Sequence, residues 1–260
     1  QSSHAEMASL IEDMKNKKVK TLVIHRSNPA YALPEKAEFL TALKDVNLVV
    51  YIGDRMDEMG QQAHYVLPEN HALETWGDVE SVSGVCSIQQ PTIRPMYDTQ
   101  SAQLTLMNWA FQAKVGPKRI QEFETFYDYL RNYWRTELYP KLGKGGTFDS
   151  FWDGALQAGF VGKLEESSSA RSYNIEALET IKALPKATGY EVVLYSTLQI
   201  GDGTVSNIAW LHELPDPITK IVWDNYVLVS LATANKLKAK EGQIIEVETN
   251  SVKLELPLHI

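Results

Sequence analysis

Three short groups of residues combine side chains able to bind or react with a position where a strand pattern gives way to a loop. They are Ser27-Asn28-Pro29, Gly53-Asp54 and Leu73-Glu74-Thr75-Trp76-Gly77-Asp78. Open α/β sheets bind ligands beyond the carboxyl ends of their strands, which makes Asn28, Pro29 and Asp54 candidate ligand contacts. The same residues have a plain structural role, because Asn bonds its own backbone in turns and Pro fixes φ. Asp54 also lies close to Asp57 and Glu58, a grouping that could supply carboxylates to a metal ion. Acids are equally favoured at a helix start by the partial positive charge of its free N–H groups.

Other reactive side chains offer less. The single cysteine, Cys86, sits in the apolar run Val82-Ser-Gly-Val-Cys-Ser-Ile88 and reads as a buried structural thiol. One cysteine closes no internal disulfide, and it falls short of the roughly four thiolates an iron–sulfur cluster takes. The six histidines contain no HxxxH or HxH pair, so metal chelation has weak support. His64 and His71 flank one predicted strand and could reach a common cleft. The sequence carries no GxSxG elbow, GxxxxGK[ST] phosphate loop or GxGxxG fingerprint.

These groups need elements to hold them. Met7, Leu10, Ile11 and Met14 recur at helical spacing and predict a helix over 4–16. Strands are predicted at Val19–Ile24, Asn47–Ile52 and His64–Pro68, with helices at Glu35–Val46 and Glu58–Ala63 between them. Short apolar strands alternating with helices are the signature of a parallel α/β sheet. Glu74 to Gln90 is rich in Gly, Ser, Thr and Val and reads as irregular extended chain. Helices follow at Ser101–Ala113, Lys118–Tyr139 and Phe148–Ala158. The second of these carries an aromatic face from Phe123 to Trp134 that reads as core. Lys163 to Tyr173 is polar and low in complexity, an expected exposed linker. Beyond it, strands are predicted at Glu191–Tyr195, Lys220–Trp223, Ile244–Glu248 and Lys253–Leu256, with one helix at Ser230–Ala239. A small β-barrel or sandwich suits this half better than a continued parallel sheet.

The chain has 260 residues, 44% of them hydrophobic, enough for a sizeable core. Its 25 basic and 33 acidic residues leave a formal charge of −8, which disfavours nucleic acid and anionic membrane as partners. Every apolar run is broken well short of the roughly 18 residues that span a bilayer, so no direct membrane insertion is expected. The sequence opens on Gln1 and stops at Pro257-Leu258-His259-Ile260 with a strand pattern still running. Both ends read as cut, so an internal piece of a longer protein is expected.

The order of strand, Asn28-Pro29, helix, strand, Gly53-Asp54, Tyr65-Val-Leu-Pro68 and Leu73-Glu74-Thr75-Trp76-Gly77-Asp78 resembles the third domain of molybdopterin oxidoreductases. Trp223-Asp224-Asn225, Ala232–Leu237, Glu241-Gly242 and Ile244–Val247 resemble the start of their dinucleotide-binding double-psi β-barrel. More narrowly, LETWGD (73–78), IQQPTIRPMY (88–97), LHELPDPITKIVWDN (211–225) and LKAKEGQIIEVE (237–248) look like the large iron–sulfur subunit of alternative complex III, a quinol-oxidising respiratory assembly. The likeness covers about 1–115 and 187–260.

This resemblance implies an α/β fold: a Rossmann-like domain over 1–186 with a helical insertion at about 116–186, and a truncated double-psi β-barrel over 187–260. It implies an oxidoreductase parent whose iron–sulfur clusters lie on other segments, with partners in a membrane-associated respiratory complex at the periplasmic face. The molybdenum ligand of such enzymes belongs to an earlier domain, so Cys86 is not that ligand. Asp54 would lie where a ribose or guanine contact falls, and Glu74, Gly77 and Asp78 would shape a loop near the pterin. The expected role of this part is scaffold and docking surface, with no redox centre or cofactor of its own. Two alternatives stay open: the pterin-dinucleotide-binding part of a true molybdenum or tungsten oxidoreductase, and a stand-alone α/β binding module.

Overall fold

The computed structural model describes residues 3–116, 120, 122–164, 174–180, 189–249 and 252–260. The chain divides into two compact units, Gln1–Lys182 and Ala183–Ile260. The expected linker at 163–173 lies, from 165 onward, outside the described residues. So does the expected boundary between 186 and 187.

The first unit opens with α1 (His4–Lys15), started by a capping box. Ser3 Oγ accepts from the Glu6 N–H, and the Ser3 N–H donates to the Glu6 carboxylate at 2.6 Å. Two donors that a helix start leaves unpaired are thereby satisfied. β1 (Thr21–His25), α2 (Pro29–Ala32), α3 (Lys36–Leu43), β2 (Leu48–Gly53) and β3 (Tyr65–Pro68) follow. The three strands form one parallel sheet in the order β1-β2-β3, with Thr21 opposite Leu48 and Val50 opposite Tyr65. β2 is central, and its residues from Val49 to Gly53 are all buried. Successive side chains of a strand point to opposite faces. Val49 and Tyr51 accordingly pack with Met14, Phe39 and Ala42 from α1 and α3, while Val50 and Ile52 pack with Ala102. Ala102 opens α4 (Ala102–Ala113), capped by Ser101. The buried run Val49–Ile52 is what a parallel strand covered on both faces requires.

Residues 74–90, expected to be irregular, instead hold a hairpin of β4 (Gly77–Val82) and β5 (Val85–Gln89). β6 (Phe160–Gly162) adds an antiparallel third strand to β5. Ser83 and Gly84, the latter at φ +80°, make the turn. The turn signal was overlooked because β4 exposes nearly all its side chains and shows no apolar alternation.

The expected helix over 118–139 begins at Phe126, where Thr125 Oγ1 accepts from the Asp128 N–H. Residues 117–119 and 121 lie outside the described residues. α5 (Phe126–Tyr133) passes into a π-helical turn, Trp134–Leu138, and then α6 (Tyr139–Leu142). Pro140 explains the wide turn, since proline has no N–H to donate and its ring crowds the carbonyl four residues back. With α7 (Phe148–Ala158), this region builds a second core of Cys86, Ile88, Leu130, Trp134, Leu138, Phe148 and Trp152. Of the expected aromatic face, Trp134 is buried beside Leu130, Phe126 and Tyr127 pack half-buried against that core, and Phe123 is not part of it.

In the second unit, α8 (Ala209–Glu213), β7 (Val227–Leu228), α9 (Leu231–Leu237), β8 (Ile244–Glu248) and β9 (Lys253–His259) are the regular elements. β9 is central, pairing antiparallel with β8 and parallel with β7. α9 lies inside the expected 230–239 helix, capped by Ser230. The strands expected at Glu191–Tyr195 and Lys220–Trp223 are absent. Lys220 and Trp223 take φ of +62° and +66°, which no strand accommodates.

Candidate functional site

A cavity of about 250 Å³ opens beside the carboxyl ends of β1 and β3. Its walls come from His25 at the end of β1 with Arg26 just beyond, Glu69 after β3, the chain leading into β4 including Trp76, Gly77 and Asp78, β5, and Gln103 of α4. The charged centre is Glu69, buried at 7% exposure. Its carboxylate meets His25 Nε2 at 2.9 Å and accepts from Arg26 Nε at 2.6 Å. Arg26 Nη2 donates in turn to the Asn70 carbonyl at 3.1 Å. The guanidinium therefore ties the end of β1 to the end of β3 across the central strand. Arg26 reaches both partners from a left-handed backbone, φ +46°. A buried carboxylate is tolerated only when paired and hydrogen-bonded, and Glu69 is both.

Sequence reasoning passed over His25, Arg26 and Glu69. A signal existed: His25 and Arg26 directly follow the predicted strand Val19–Ile24, and Glu69 directly follows the predicted strand His64–Pro68. Parallel pairing brings those two strand ends together.

Gly77 and Asp78 line this cavity, and Glu74 does not. Glu74 closes the 3-10 turn Ala72–Glu74. Its Oε2 accepts from the His71 N–H at 2.9 Å and its Oε1 from the Met96 N–H at 3.0 Å. Gln89 Nε2 fastens that turn to β5 through the Ala72 and Thr75 carbonyls, at 2.7 and 3.0 Å. Asp78 Oδ2 accepts from the indole N–H of Trp134 at 2.9 Å.

Asn28, Pro29 and Asp54 have other surroundings. Asn28 Nδ2 donates to Glu58 at 2.8 Å, its Oδ1 is buried without a hydrogen-bond partner, and Pro29 is the buried first residue of α2. Asp54 is gripped at both oxygens by its neighbour Arg55, each at 3.0 Å. That bond to Arg55 holds the Asp54 carboxyl below its ordinary range.

Asp57 accepts from the Tyr51 hydroxyl at 2.7 Å and the Gly60 N–H at 2.8 Å. Burial first and this hydrogen bond second raise the Tyr51 hydroxyl's pKa well above normal. The three acids of the supposed metal group are thus taken by Arg55, by Tyr51 with Gly60, and by Asn28. Among the described residues, no group of three or more His, Cys, Asp or Glu side chains could hold a metal ion. His64 and His71 also serve the backbone, accepting at Nδ1 from the Val49 and Leu73 N–H groups. Burial, then the charges of Glu80 and Asp78, pushes the Cys86 thiol up.

A pterin dinucleotide needs free donors and acceptors from the residues around it. Asp54 and Glu74 have each carboxylate oxygen engaged once within the chain, while Asn28 has its amide nitrogen engaged and its Oδ1 unpartnered. A carboxylate oxygen keeps a second acceptor site, so these three side chains retain acceptors. Among the described residues, no helix is long and apolar enough to cross a membrane.

No family model matches the chain. It is similar to the menaquinone reductase molybdopterin-binding-like subunit of Nitratidesulfovibrio vulgaris, strain Hildenborough, at 33% identity over 266 aligned positions. That alignment takes in 97% of this chain and 35% of the relative, so the chain spans about a third of the relative's length. Its fold is similar to that of acetylene hydratase from Pelobacter acetylenicus, with TM-score 0.59 and 18% identity over 97% of this chain and 37% of the other.

Proposed function

We propose that this chain, molybdopterin-oxidoreductase-like in its sequence and fold, is the scaffold and docking part of a respiratory oxidoreductase subunit and holds no redox centre of its own. The observation that carries this reading is Glu74. Both its carboxylate oxygens accept from backbone N–H groups that shape the 71–96 loop, so the acid most suggestive of a cofactor pocket works as architecture.

In this reading the intact protein relays electrons between a quinol pool and iron–sulfur clusters carried on other segments, in the manner of the alternative-complex-III subunit. The relative's own description, a menaquinone reductase subunit, supports a quinone-linked setting. Partners would be the rest of the same polypeptide and other subunits of a membrane-associated complex on the periplasmic face. Residues 1–186 would form the Rossmann-like domain and 187–260 the opening part of a double-psi β-barrel.

A second reading, the dinucleotide-binding part of a true molybdenum or tungsten enzyme, draws on one feature. Gly77 and Asp78 line a cavity at the strand ends, where such sheets bind ligands. Asn28, Pro29, Asp54, Glu74, Gly77 and Asp78 would then contact the cofactor while keeping their internal partners. Metal analysis and ultraviolet–visible spectra of the full-length protein separate the two. The scaffold reading expects neither molybdenum nor pterin absorbance; molybdopterin that co-purifies without being added overturns it.

A further inference from the structure

The cavity at the strand ends holds polar capacity that the scaffold does not use. Gln103, the second residue of α4, lines it. Its Oε1 is buried and meets no hydrogen-bond donor among the described residues. Buried polar side-chain atoms nearly always find a partner, so an orphaned acceptor in a cavity wall marks a place for a donor that the chain does not supply. Gln89 lines the same cavity with its amide fixed in one orientation. Its Nε2 donates to the Ala72 and Thr75 carbonyls at 2.7 and 3.0 Å, which leaves Oε1 as an acceptor. Asp78 supplies a third. Its Oδ2 accepts from Trp134, while Oδ1 accepts no hydrogen bond among the described residues.

Charge and shape complete the pattern. Two carboxylates and one guanidinium line the cavity. The guanidinium of Arg26 is matched by Glu69 at 2.6 Å, and His25 sits against the same carboxylate. Asp78 is in no ion pair among the described residues, so it is the charge that the wall leaves without a counter-ion. The Trp76 ring also lines the cavity, 4.7 Å between centroids from that of Tyr127, and the face of an indole attracts a cation. A volume of about 250 Å³ lies below the roughly 300–1,000 Å³ of pockets for drug-sized ligands, so the occupant is small.

We propose that this cavity binds a small organic cation of the amidinium or guanidinium class. Its N–H groups donate to Gln103 Oε1, Gln89 Oε1 and Asp78 Oδ1, and its flat face lies against Trp76. Such a cation presents several N–H donors in one plane, which lets a single ligand serve a carboxylate and an amide oxygen together. A neutral ligand would leave the Asp78 charge unmatched, and an anion would be repelled by it.

Benzamidine is the probe, and benzamide is its neutral counterpart of nearly the same shape. Titration calorimetry and thermal unfolding of the full-length protein, at one fixed ionic strength, read both. Benzamidine is expected to bind saturably and raise the unfolding midpoint, with benzamide about tenfold weaker or more, as the loss of one charged hydrogen bond implies. Gln103→Leu removes an acceptor that the chain itself does not use. It should leave the unliganded midpoint unchanged or raised while weakening benzamidine by a similar factor. Gln103→Glu adds a second charge and should tighten benzamidine but not benzamide. Equal affinities for the two probes, no saturable binding of either, or binding of guanosine in place of benzamidine overturns the proposal. So does a Gln103→Leu protein with a lower midpoint and unaltered affinity, the result a purely structural Gln103 would give. Pterin content, measured on the same protein, decides the scaffold reading separately, so the two can fail apart.

Discussion

The indole N–H of Trp134, a side chain with no exposed surface, donates to Oδ2 of Asp78 at 2.9 Å. This bond joins two parts of the first unit that are 56 positions apart in sequence. Trp134 belongs to the aromatic core, while Asp78 forms part of the cavity wall. Around Trp134 the rings pack edge-on and tilted, with Trp152 at 5.4 Å and Phe151 at 6.3 Å between centroids. The core therefore positions the cavity's β4 wall.

Trp134→Phe keeps most of the ring volume and removes the donor. A hydrogen bond to a charged group contributes roughly 1.5–3 kcal/mol, and the exposed side of Asp78 places the expected loss near the bottom of that range, about 1.5 kcal/mol. Urea unfolding of Trp134→Phe, Asp78→Ala and the double variant checks it. Additive losses would show that the bond contributes nothing.

Glu69→Gln removes the charge that His25 and Arg26 share. Arg26 then keeps the Asn70 carbonyl but loses its ion partner, and a destabilisation of roughly 1–3 kcal/mol is expected. Thermal unfolding should show a lower midpoint, with a smaller drop for Asp54→Asn, whose pair with Arg55 lies at the surface. Equal drops would remove Glu69 from the centre of the site.

Gly162 sits at φ +108°, and a Cβ there would collide with the Gly84 carbonyl oxygen across the β5–β6 pair. Gly162→Ala is expected to cost on the order of 2 kcal/mol. Gly154, within α7, has open space where its Cβ would stand, so Gly154→Ala should stabilise by about 0.5–1 kcal/mol. Denaturation midpoints that move in the same direction for both would contradict this geometry.

Cys86 should alkylate slowly in the folded chain. Burial raises its thiol's pKa, so less thiolate is present at a given pH than in the unfolded chain. The sign for stability follows: the folded-state preference for the neutral thiol is fully present below the unfolded value near 8.5 and is lost as pH rises through the higher folded value. Iodoacetamide labelling at pH 8, with and without urea, measures the contrast. Equal rates would place the thiol outside the core.

Glu74→Ala tests the architectural role of the loop acid. Losing a side-chain cap costs typically about 1 kcal/mol, and here the Met96 N–H loses its acceptor too. In the full-length protein this variant should unfold earlier and leave the visible absorption spectrum unchanged. A variant that keeps its stability while its bound-pterin content changes would reassign Glu74 to a cofactor.

The elements that the sequence makes plain are those with a local cause. Ser3, Ser101 and Ser230 begin helices because each hydroxyl accepts from the N–H three residues ahead. Leu48–Ile52 reads as a buried strand because an apolar run of that length satisfies two covered faces at once. The hairpin at 77–89 escaped notice because its stability comes from cross-strand bonds and from one half-covered face. The strands expected at 191–195 and 220–223 had the right composition, but composition cannot report the positive φ of Lys220 and Trp223.

The parallel α/β beginning, much of the aromatic core and the family likeness were legible in the sequence, since each depends on residue type and spacing along the chain. Which polar groups meet was settled by folding. Asn28, Asp54 and Glu74 looked free as letters, yet folding gives each a partner, and it gathers His25, Arg26 and Glu69 into the buried cluster beside the cavity. The physical reason is that a hydrogen bond is set by distance and direction in space. Residues more than 40 positions apart share one only after the strands that carry them have paired.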